Sequence, residues 1–367
     1  MQAAPDPVKI GVMLDFANET GESPMMPATK AIELRFEEAF ANGEIDRPVT
    51  LVVQTFNGLP AGAAENTERT FSELAAQHVL AMIGPGVTDN CLITTPLANR
   101  HGIPSLNFPG TEHSRGPFGF QFQLGSLTDE GQMIVDELVH RGHSTVAVIR
   151  DHGPIGGEYF DYFNQATIRR GLTIAADVRV APVATDVRSA VAQARASGAT
   201  CLVYLGLGLV VVPLSHALNE AGWSPPRFMN TAFLHGYMNP DALKALEGWV
   251  GVDMVDLNNP VTTAFYDRFE RRFGVREVTP LHTCFYDMAT MIVEGIRWAP
   301  LLTPDGIRQG MERAHQIPST CGGRGTVMGF GPWDRAAYKG PDWLLFQTVK
   351  DGTYQPFSKA SPSALPV

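Results

Sequence analysis

Short apolar runs alternate with amphipathic stretches along the first 111 residues of the chain. Four of the runs are long enough for a buried strand and are bounded by turn-forming residues, whereas the stretches between them space their apolar residues as a helix does. The runs are 8–14, 49–55, 79–83 and 103–108, and the helical stretches are 28–42, 63–77 and 88–101. This alternation predicts a parallel sheet covered by helices.

The same alternation resumes between residues 129 and 230, without any sequence repeat of the first half. It predicts a second α/β lobe, with strands at 144–149, 173–180, 200–205 and 227–230. The last third contains four more helical stretches and three short strands. The helices are predicted at 239–245, 261–273, 281–298 and 303–314, and the strands at 249–255, 325–330 and 343–349. These leftover elements predict that the chain crosses between the two lobes more than once.

The stretch 79–111 carries the candidate chemistry of the first lobe. Gly84-Pro85-Gly86 ends one predicted strand, and Pro109-Gly110-Thr111 ends the next. In open α/β sheets the carboxyl ends of neighbouring strands are where ligands bind, and a helix start adds free N–H groups and a positive dipole end. With hydroxyls from Thr88 and Thr111, this corner is expected to hold a small anion or a polar head group.

Both threonines also have ordinary structural alternatives, which the sequence leaves open. Thr88, Asp89 or Asn90 can cap the helix that follows, since each carries a side-chain oxygen within reach of backbone N–H groups. Thr111 can serve as a turn hydroxyl. Capping and ligand binding are compatible, because the same corner holds both sets of groups.

Charge and composition narrow the class of protein. The chain has 367 residues, enough for more than one domain, and a formal net charge of −10, which disfavours nucleic acid as a partner. Among its four cysteines, Cys91 and Cys201 lie in apolar context and are expected to be buried thiols. The sequence does not decide whether Cys284 and Cys321 form a disulfide. The beginning, MQAAPDPVKI, is typical of a processed end from which a leader has been removed, although a native cytosolic start looks similar.

The order of elements, together with IGPGVTDNC, IPSLNFPGT, ALNEAGW, FYDMATMIVEGI and VMGFGPWDR, resembles the type I periplasmic solute-binding proteins of ABC importers. The nearest group is the leucine/isoleucine/valine-binding family. The resemblance implies an α/β fold of two Rossmann-like lobes joined by three hinge strands. Lobe 1 would comprise 8–124 and 252–330, and lobe 2 would comprise 125–251 and 331–358, with flexible termini at 1–7 and 359–367.

The resemblance also implies ligand-binding residues in a cleft between the lobes, which close over the ligand by hinge motion. Thr88 and Thr111 match the positions that hold a ligand carboxylate in amino-acid-binding members, with Gly86, Pro109 and Gly110 nearby. Ala232 stands where those relatives have an acidic residue for the ligand ammonium, and Ile155 and Gly208 stand where they have tyrosines. The candidate apolar lining is Phe16, Met25, Met26, Phe108, Ile155 and Phe233.

An unpaired buried ammonium is costly, so the change at Ala232 argues for a ligand without one. The resulting hypothesis is a small, largely apolar aromatic or aliphatic ligand that carries a carboxylate or a carbonyl. The expected partners are this ligand and an ABC permease of the inner membrane, and the expected state is a monomer without cofactor or metal. The expected location is periplasmic or extracellular. The sequence does not decide whether a lipid anchors the protein to the membrane.

Three alternatives remain at the level of sequence. The chain can be a branched-chain amino-acid-binding protein, a cytosolic amide or acid sensor of the same fold, or an α/β enzyme with a cryptic site. Gly84-x-Gly86 and Gly206-x-Gly208 each follow a strand, but both lack the third glycine of a dinucleotide-binding motif. No catalytic triad order, zinc motif or Walker loop is present in the sequence, so we expect no enzymatic activity.

Overall fold

The computed structural model describes residues 5–17 and 20–357. The chain divides into two compact units: unit 1 is Met1–Leu124 with Met254–Trp343, and unit 2 is Gly125–Asp253 with Leu344–Val367. The chain therefore passes from one unit to the other three times. Most of the termini that the resemblance implied to be flexible, 1–4 and 358–367, lie outside the described residues.

Unit 1 contains a five-stranded parallel sheet with the strand order β2-β1-β3-β4-β5. Its strands are β1 (Val8–Leu14), β2 (Val49–Thr55), β3 (Ala81–Ile83), β4 (Ser105–Asn107) and β5 (Gly119–Gln121). Its first three helices are α1 (Thr29–Ala41), α2 (Ala64–Ala75) and α3 (Thr88–His101). The order of the chain reverses between β1 and β3, which are hydrogen-bonded neighbours.

Unit 2 contains a seven-stranded sheet with the order β15-β14-β10-β9-β8-β6-β7, in which β14 runs antiparallel to β10 and to β15. Its strands are β6 (Thr145–Asp151), β7 (Thr173–Val180), β8 (Cys201–Leu205), β9 (Arg227–Met229), β10 (Val250–Asp253), β14 (Leu345–Lys350) and β15 (Thr353–Pro356). Its helices are α4 (Glu130–His140), α5 (Pro154–Arg170), α6 (Arg188–Ala196), α7 (Val211–Glu220) and α8 (Pro240–Ala245).

The segment 254–343 completes unit 1. It supplies α9 (Pro260–Phe273), α10 (Pro280–Trp298) and α11 (Pro304–Met311), and a small antiparallel sheet of β11 (Ile317–Pro318), β12 (Val327–Met328) and β13 (Tyr338–Lys339). The expected lobe boundary at 330/331 is therefore wrong. Residues 331–343 stay with unit 1 because β13 pairs with β12 and because the backbone of Gln121 binds Arg335 and Ala337.

Each unit has its own hydrophobic core. In unit 1 a cluster that includes Met13, Phe71 and Met82 lies between the sheet and the helices α2 and α3. In unit 2 a larger cluster includes Tyr204, Phe233 and Trp249. The long apolar stretch predicted as a helix is α10, which is buried over most of its length because it packs on α1 and α11.

Tyr286 and Asp287 on α10 bind neighbouring elements of unit 1 with their side chains. The Tyr286 hydroxyl donates to Glu38 on α1, and the Asp287 carboxylate accepts from the amide and hydroxyl of Thr320 and from the hydroxyl of Ser319. Burial raises the pKa of Asp287 to about 6. All four cysteines are free and buried, as expected for Cys91 and Cys201.

Candidate functional site

The reversal of strand order in unit 1 places the ends of β1 and β3 side by side. Asp15 follows β1 directly, and the turn 84–87 links β3 to the first residue of α3, Thr88. Ligands of open α/β sheets bind outside the carboxyl ends of the strands at such a switch point. The two turns that follow β3 and β4 lie at this edge of the sheet.

Asp15 binds the start of α3 with its own carboxylate. The side chain is 1% exposed, and it accepts from the Gly86 amide at 3.0 Å, from the Val87 amide at 2.8 Å and from the Asn90 side chain at 2.8 Å. Burial raises its pKa, and the three hydrogen bonds act in the opposite direction. The Gly86 amide, expected to face a ligand anion, is thus already bound to a carboxylate of the chain.

The helix-capping alternative for Thr88, Asp89 and Asn90 is wrong. The residue before the helix is Val87, which has an extended backbone and no side-chain cap, and the three polar residues form the first turn of α3 itself. Asn90 is fully buried, where its amide oxygen accepts from the Leu59 amide and the Thr67 hydroxyl. Asp15 and Asn90 together fix the beginning of the helix.

Thr88 lies in the first helical turn with 5% of its surface exposed. Its hydroxyl makes no hydrogen bond to any residue of the described chain, 5–17 and 20–357. Threonine hydroxyls in helices often bond back to the preceding turn, as Thr94 and Thr95 do here with the carbonyl of Cys91. The Thr88 hydroxyl therefore remains able to bond a ligand.

Asp89 follows Thr88 and is partly exposed, but its Oδ1 atom is buried. Across residues 5–17 and 20–357, Asp89 Oδ1 and Asn107 Oδ1 are the two buried side-chain atoms that lack a hydrogen-bond partner. Burial raises the pKa of Asp89, and neither a hydrogen bond nor a cation of the described chain opposes that effect.

The turn after β4 packs directly against the turn after β3. A Cβ atom at Gly86 would overlap the ring of Phe108, so glycine is required there for the close approach. Phe108 is 3% exposed and makes an edge contact with Phe285, with ring centroids 5.3 Å apart. The structure thus brings Gly86 and Phe108 together and makes Phe108 mainly a packing residue.

Thr111 and its neighbours are held by a residue that the sequence did not single out. The fully buried Gln121 donates from its side chain to the carbonyls of Pro109 and Thr111, both at 2.8 Å. The Thr111 hydroxyl accepts from the amide of His113 at 3.2 Å, which is the turn role left open above. Pro109, Gly110 and Thr111 are all buried.

The remaining unit 1 candidates flank β1. Phe16 is half-buried directly after Asp15, whereas Met25 is 2% exposed and Met26 is 39% exposed. Phe16 and Met26 thus present apolar surface, while Met25 lies in the interior.

Unit 2 repeats the arrangement of a terminal aspartate beside a turn. Asp151 is the last residue of β6 and is 1% exposed. Its carboxylate accepts from the Tyr204 hydroxyl at 2.7 Å and from the Leu207 amide at 2.8 Å, and burial raises its pKa. A Cβ at Gly206 would overlap this carboxylate, so the turn after β8 also needs glycine.

The unit 2 candidates fall into two groups. Gly208 has a φ of +101°, and a Cβ atom there would meet His235 and Ala232. The structure therefore brings Gly208 and Ala232 together, and it leaves no room for a tyrosine side chain at position 208. Burial lowers the pKa of His235 to about 4. Ile155, 7% exposed, lies in the first turn of α5.

Phe233 packs in the interior of unit 2. It is fully buried, its ring fills the space beside Gly251, and it meets Tyr354 edge-on with centroids 5.1 Å apart. Its burial and its ring contact make it a core residue of unit 2.

Glu130, at the start of α4, forms a further buried carboxylate network in unit 2. It accepts from the amides of Ser126 and Thr231 and from the hydroxyls of Thr231 and Tyr159. Burial raises its pKa to about 7. The network fixes Thr231, the residue before Ala232, and so positions the segment after β9.

Sequence reasoning missed Asp15, Gln121 and Glu130. The signal that identifies Asp15 is an acidic residue at the end of the first strand of an α/β run, in VMLD, as VIRD identifies Asp151. Gln121 and Glu130 have no comparable signal, because their partners are distant in sequence.

The comparisons with known proteins agree with this architecture. The model of the family described as "Periplasmic binding protein" matches residues 7–342, and the chain belongs to that family. No curated protein sequence matches the chain. None of the helices in the described residues combines the length and apolar character that a membrane span requires.

Several solved structures share the fold at low sequence identity. A type 1 periplasmic binding protein from Bordetella pertussis Tohama I is 18% identical, with 96% of this chain and 100% of that chain covered and a TM-score of 0.82. The branched-chain amino acid transporter substrate-binding protein LivJ from Streptococcus pneumoniae, in complex with isoleucine, is 14% identical, with 95% and 98% covered and a TM-score of 0.80. A possible leucine/isoleucine/valine-binding protein from Rhodopirellula baltica SH 1 is 16% identical, with 98% of each chain covered and a TM-score of 0.80.

At these identities the solved structures establish the fold, and the family match establishes the class. The chain is a periplasmic binding protein, and its fold is that of the solved type 1 member. Membership of this family implies a small-molecule ligand and an extracellular or periplasmic location.

Proposed function

We propose that this chain captures a small, largely apolar ligand with a carbonyl- or carboxylate-bearing head group and delivers it to the permease of an ABC importer. The head group binds in unit 1 at Thr88 and at the turn of Pro109, Gly110 and Thr111. Unit 2 then closes on the bound ligand by hinge motion, and the permease recognises the closed form. The protein acts as a monomer.

The observation that carries this proposal is the state of the Thr88 hydroxyl. The residue is 5% exposed and lies at the switch point of the sheet, and its hydroxyl lacks a partner within the described residues. The hydroxyl oxygen is not among the buried side-chain atoms of the described chain that lack a partner, so it keeps some accessible surface. A ligand that covers this hydroxyl has to accept a hydrogen bond from it, because a polar group removed from water without one costs free energy.

The test begins with protein that has been unfolded and refolded, so that any ligand from the cell is removed. A thermal-shift panel sets leucine, isoleucine, valine, phenylalanine and small amides against benzoate-type and short-chain carboxylates. A ligand at about 100 times its dissociation constant adds about 2.7 kcal/mol of stability. This addition shifts the melting curve measurably.

Calorimetry with the best ligand of the panel then tests the residue. Thr88→Ala is expected to weaken binding by about tenfold or more, since a hydrogen bond to a charged group contributes roughly 1.5–3 kcal/mol and about 1.4 kcal/mol is tenfold. Thr94→Ala is the matched control, because that hydroxyl lies on the same helix and bonds the carbonyl of Cys91. An unchanged affinity of the Thr88 variant would remove this residue from the site.

Branched-chain amino acid capture is the second candidate function. The Streptococcus pneumoniae relative was solved with isoleucine. The family resemblance matches Thr88 and Thr111 to positions that hold a ligand carboxylate in amino-acid-binding members. Ala232 offers no carboxylate for an ammonium, and Asp151 and Asp253 already accept from tyrosine hydroxyls. A melting shift with leucine, isoleucine and valine alone would favour this candidate.

A further inference from the structure

The order of the chain also reverses within the sheet of unit 2. Strand β6 pairs with β7 on one side and with β8 on the other, so the ends of β6 and β8 lie side by side. Ligands of open α/β sheets bind outside the carboxyl ends of the strands at such a reversal. The turn after β8, residues 206–210, and the segment after β9, residues 231–237, border this place because β8 also pairs with β9.

Three polar side chains at this switch point bond other groups of unit 2. Asp151 accepts from the hydroxyl of Tyr204 and from the amide of Leu207. The side chain of Asn230 pairs with the backbone of Gly206 in both directions. These bonds hold the turn after β8 against its neighbours, so these side chains serve the fold.

His235 has different surroundings. It is half-buried, and a Cβ atom at Gly208 would come within 2.7 Å of its Cδ2 atom. Ala232 borders the same glycine, with its Cβ 3.1 Å from that position. The imidazole therefore lies against the turn after β8, in space that any side chain at position 208 would need.

The imidazole of His235 is neutral at neutral pH. Burial lowers its pKa to about 4, and a hydrogen bond to the backbone of Leu207 acts in the opposite direction. The partner is the Leu207 carbonyl, because an acceptor favours the protonated ring and because the Leu207 amide already donates to Asp151. One ring nitrogen thus donates its N–H to this carbonyl, and the other carries a lone pair.

That second nitrogen is open to a donor from outside the chain. It has no partner in residues 5–17 and 20–357, and it is not one of the two buried side-chain atoms there that lack a partner. It therefore keeps accessible surface. A ligand that covers it has to donate a hydrogen bond to it, because a polar group removed from water without one costs free energy.

The surroundings of His235 favour an uncharged donor. Ala232 has no carboxylate, and the carboxylate of Asp151 already accepts from two donors of unit 2. A neutral imidazole can accept from an ammonium group, but it does not compensate the positive charge. Because burial of an uncompensated charge costs far more than burial of a hydroxyl, a hydroxyl fits this place better than an ammonium.

We infer that the ligand carries a hydroxyl group that donates to the open ring nitrogen of His235, and that it is a hydroxy acid rather than an amino acid. This inference rests on the proposed function, in which the carboxylate head group binds at Thr88, and it names the substrate class of that site. His235 is then the residue of unit 2 that determines specificity.

The experiment uses two series of probes, titrated by calorimetry into refolded, ligand-free protein. One series is 2-hydroxy-4-methylpentanoate, 4-methylpentanoate and leucine, and the other is 4-hydroxybenzoate and benzoate. In at least one series the hydroxy acid is expected to bind about fivefold or more tightly than the acid without the hydroxyl. No gain from the hydroxyl in either series, or leucine that binds more tightly than every hydroxy acid, would overturn the inference.

A spectroscopic measurement on the wild-type protein reports the contact itself. Nitrogen-15 signals of the imidazole rings are recorded before and after saturation with the tightest hydroxy acid, and the variant His235→Asn identifies the signals of His235. The signal of the nitrogen that accepts the new hydrogen bond is expected to shift, whereas the signal of the nitrogen bonded to Leu207 stays close to its position. Signals of His235 that do not move at saturation would contradict the contact.

Variants separate this inference from the proposed function. His235→Ala is expected to remove the preference for the hydroxy acid, whereas His216→Ala, which changes an exposed histidine on α7, leaves that preference unchanged. Thr88→Ala is expected to weaken the acids with and without the hydroxyl alike.

The two variants can also fail separately. If Thr88→Ala has no effect, the proposed site fails. If Thr88→Ala weakens binding but His235→Ala keeps the preference for the hydroxy acid, the inference alone fails. No response of the wild-type protein to any probe overturns both.

Discussion

The two units use an aspartate at the same place in their sheets, yet with different partners. In unit 1 Asp15 follows β1 and accepts from two amides of the turn after β3, as well as from Asn90. In unit 2 Asp151 ends β6 and accepts from one amide of the turn after β8 and from Tyr204. Each aspartate thus ties its strand to the turn that follows the neighbouring strand.

The difference follows from where the next helix begins. In unit 1 the helix starts at Thr88, directly after the two bonded amides, so that the Asp15 carboxylate replaces a capping side chain. In unit 2 the helix starts only at Val211, four residues after Leu207, and the Tyr204 hydroxyl supplies the second donor. The comparison shows that one sheet position can cap a helix in one unit and secure a loop in the other.

The largest expected effect on the free energy of unfolding comes from removing the aspartate of each unit, Asp15 or Asp151. Asp15→Ala leaves three buried donors without an acceptor, and Asp151→Ala leaves two, at about 1–3 kcal/mol for each unsatisfied group. We expect unit 1 to lose about 3 kcal/mol or more and unit 2 to lose about 2 kcal/mol. Hydrogen exchange in each unit under urea measures both losses separately.

The exposed Asp186, which pairs with Arg188, provides the control for this pair of variants. Asp186→Ala is expected to leave the exchange of both units close to that of the wild-type protein. A larger loss in Asp151→Ala than in Asp15→Ala would mean that the number of donors does not set the difference between the units.

The second test uses the pH dependence of stability, which is expected to differ between the two units. Burial raises the pKa of Glu130 in unit 2 from 4.5 to about 7 and that of Asp287 in unit 1 from 3.8 to about 6. The folded state therefore keeps these protons at pH values where the unfolded chain has lost them. The resulting stability is fully present at low pH, and it is lost between about pH 4.5 and 7 for Glu130 and between about pH 3.8 and 6 for Asp287.

At roughly 1.4 kcal/mol for each pKa unit, either group accounts for about 3 kcal/mol over its window. Melting curves from pH 4 to 8 are expected to show Glu130→Gln flattening the fall that extends to pH 7. Asp287→Asn is expected to flatten the part below pH 6. Unchanged slopes in both variants would show that these carboxyls do not control the pH dependence.

Glycine substitutions in the two turns give the smallest of the three effects. A methyl group at Gly86 overlaps the Phe108 ring, and one at Gly206 overlaps the Asp151 carboxylate. Overpacking of this kind costs about 1–3 kcal/mol. We expect Gly206→Ala to cost more than Gly86→Ala, because the displaced group in unit 2 is a hydrogen-bonded carboxylate.

Urea midpoints measure this difference, with Gly157→Ala as the control. Gly157 lies in α5 with open space around its Cβ position, and alanine favours a helix. The control is expected to be at least as stable as the wild-type protein. Equal midpoints for all three variants would contradict the close approach of both turns.

The order of the elements was predictable from sequence because hydrophobic periodicity reports which side of an element is buried. The predicted helix at 281–298 is α10, and the predicted strand at 8–14 is β1. The third crossing between the units was not predictable in position. It depends on the pairing of β12 with β13 and on backbone bonds of Gln121, contacts that no local pattern records.

The candidate site was likewise predictable from the sequence only in part. Thr88 was predicted as a candidate from its place after a strand and a turn, and the structure leaves its hydroxyl without a partner in the described chain. The role of Asp15 required knowledge that β1 and β3 are neighbours, since 71 residues separate it from Gly86. Charges brought together by sheet topology therefore escape a reading of the sequence alone, even where the turns themselves are recognised.

The discontinuity of unit 2 limits how this protein can be recombined with its relatives. A gene segment that encodes 125–253 alone would lack β14 and β15, although β10 pairs with β14, and Phe228 packs against Phe346 and Phe357. A chimaera that exchanges unit 2 must therefore carry both 125–253 and the segment from 344 onward. A single crossover between the codons for residues 253 and 344 would instead place β10 from one parent beside β14 from the other in the same sheet.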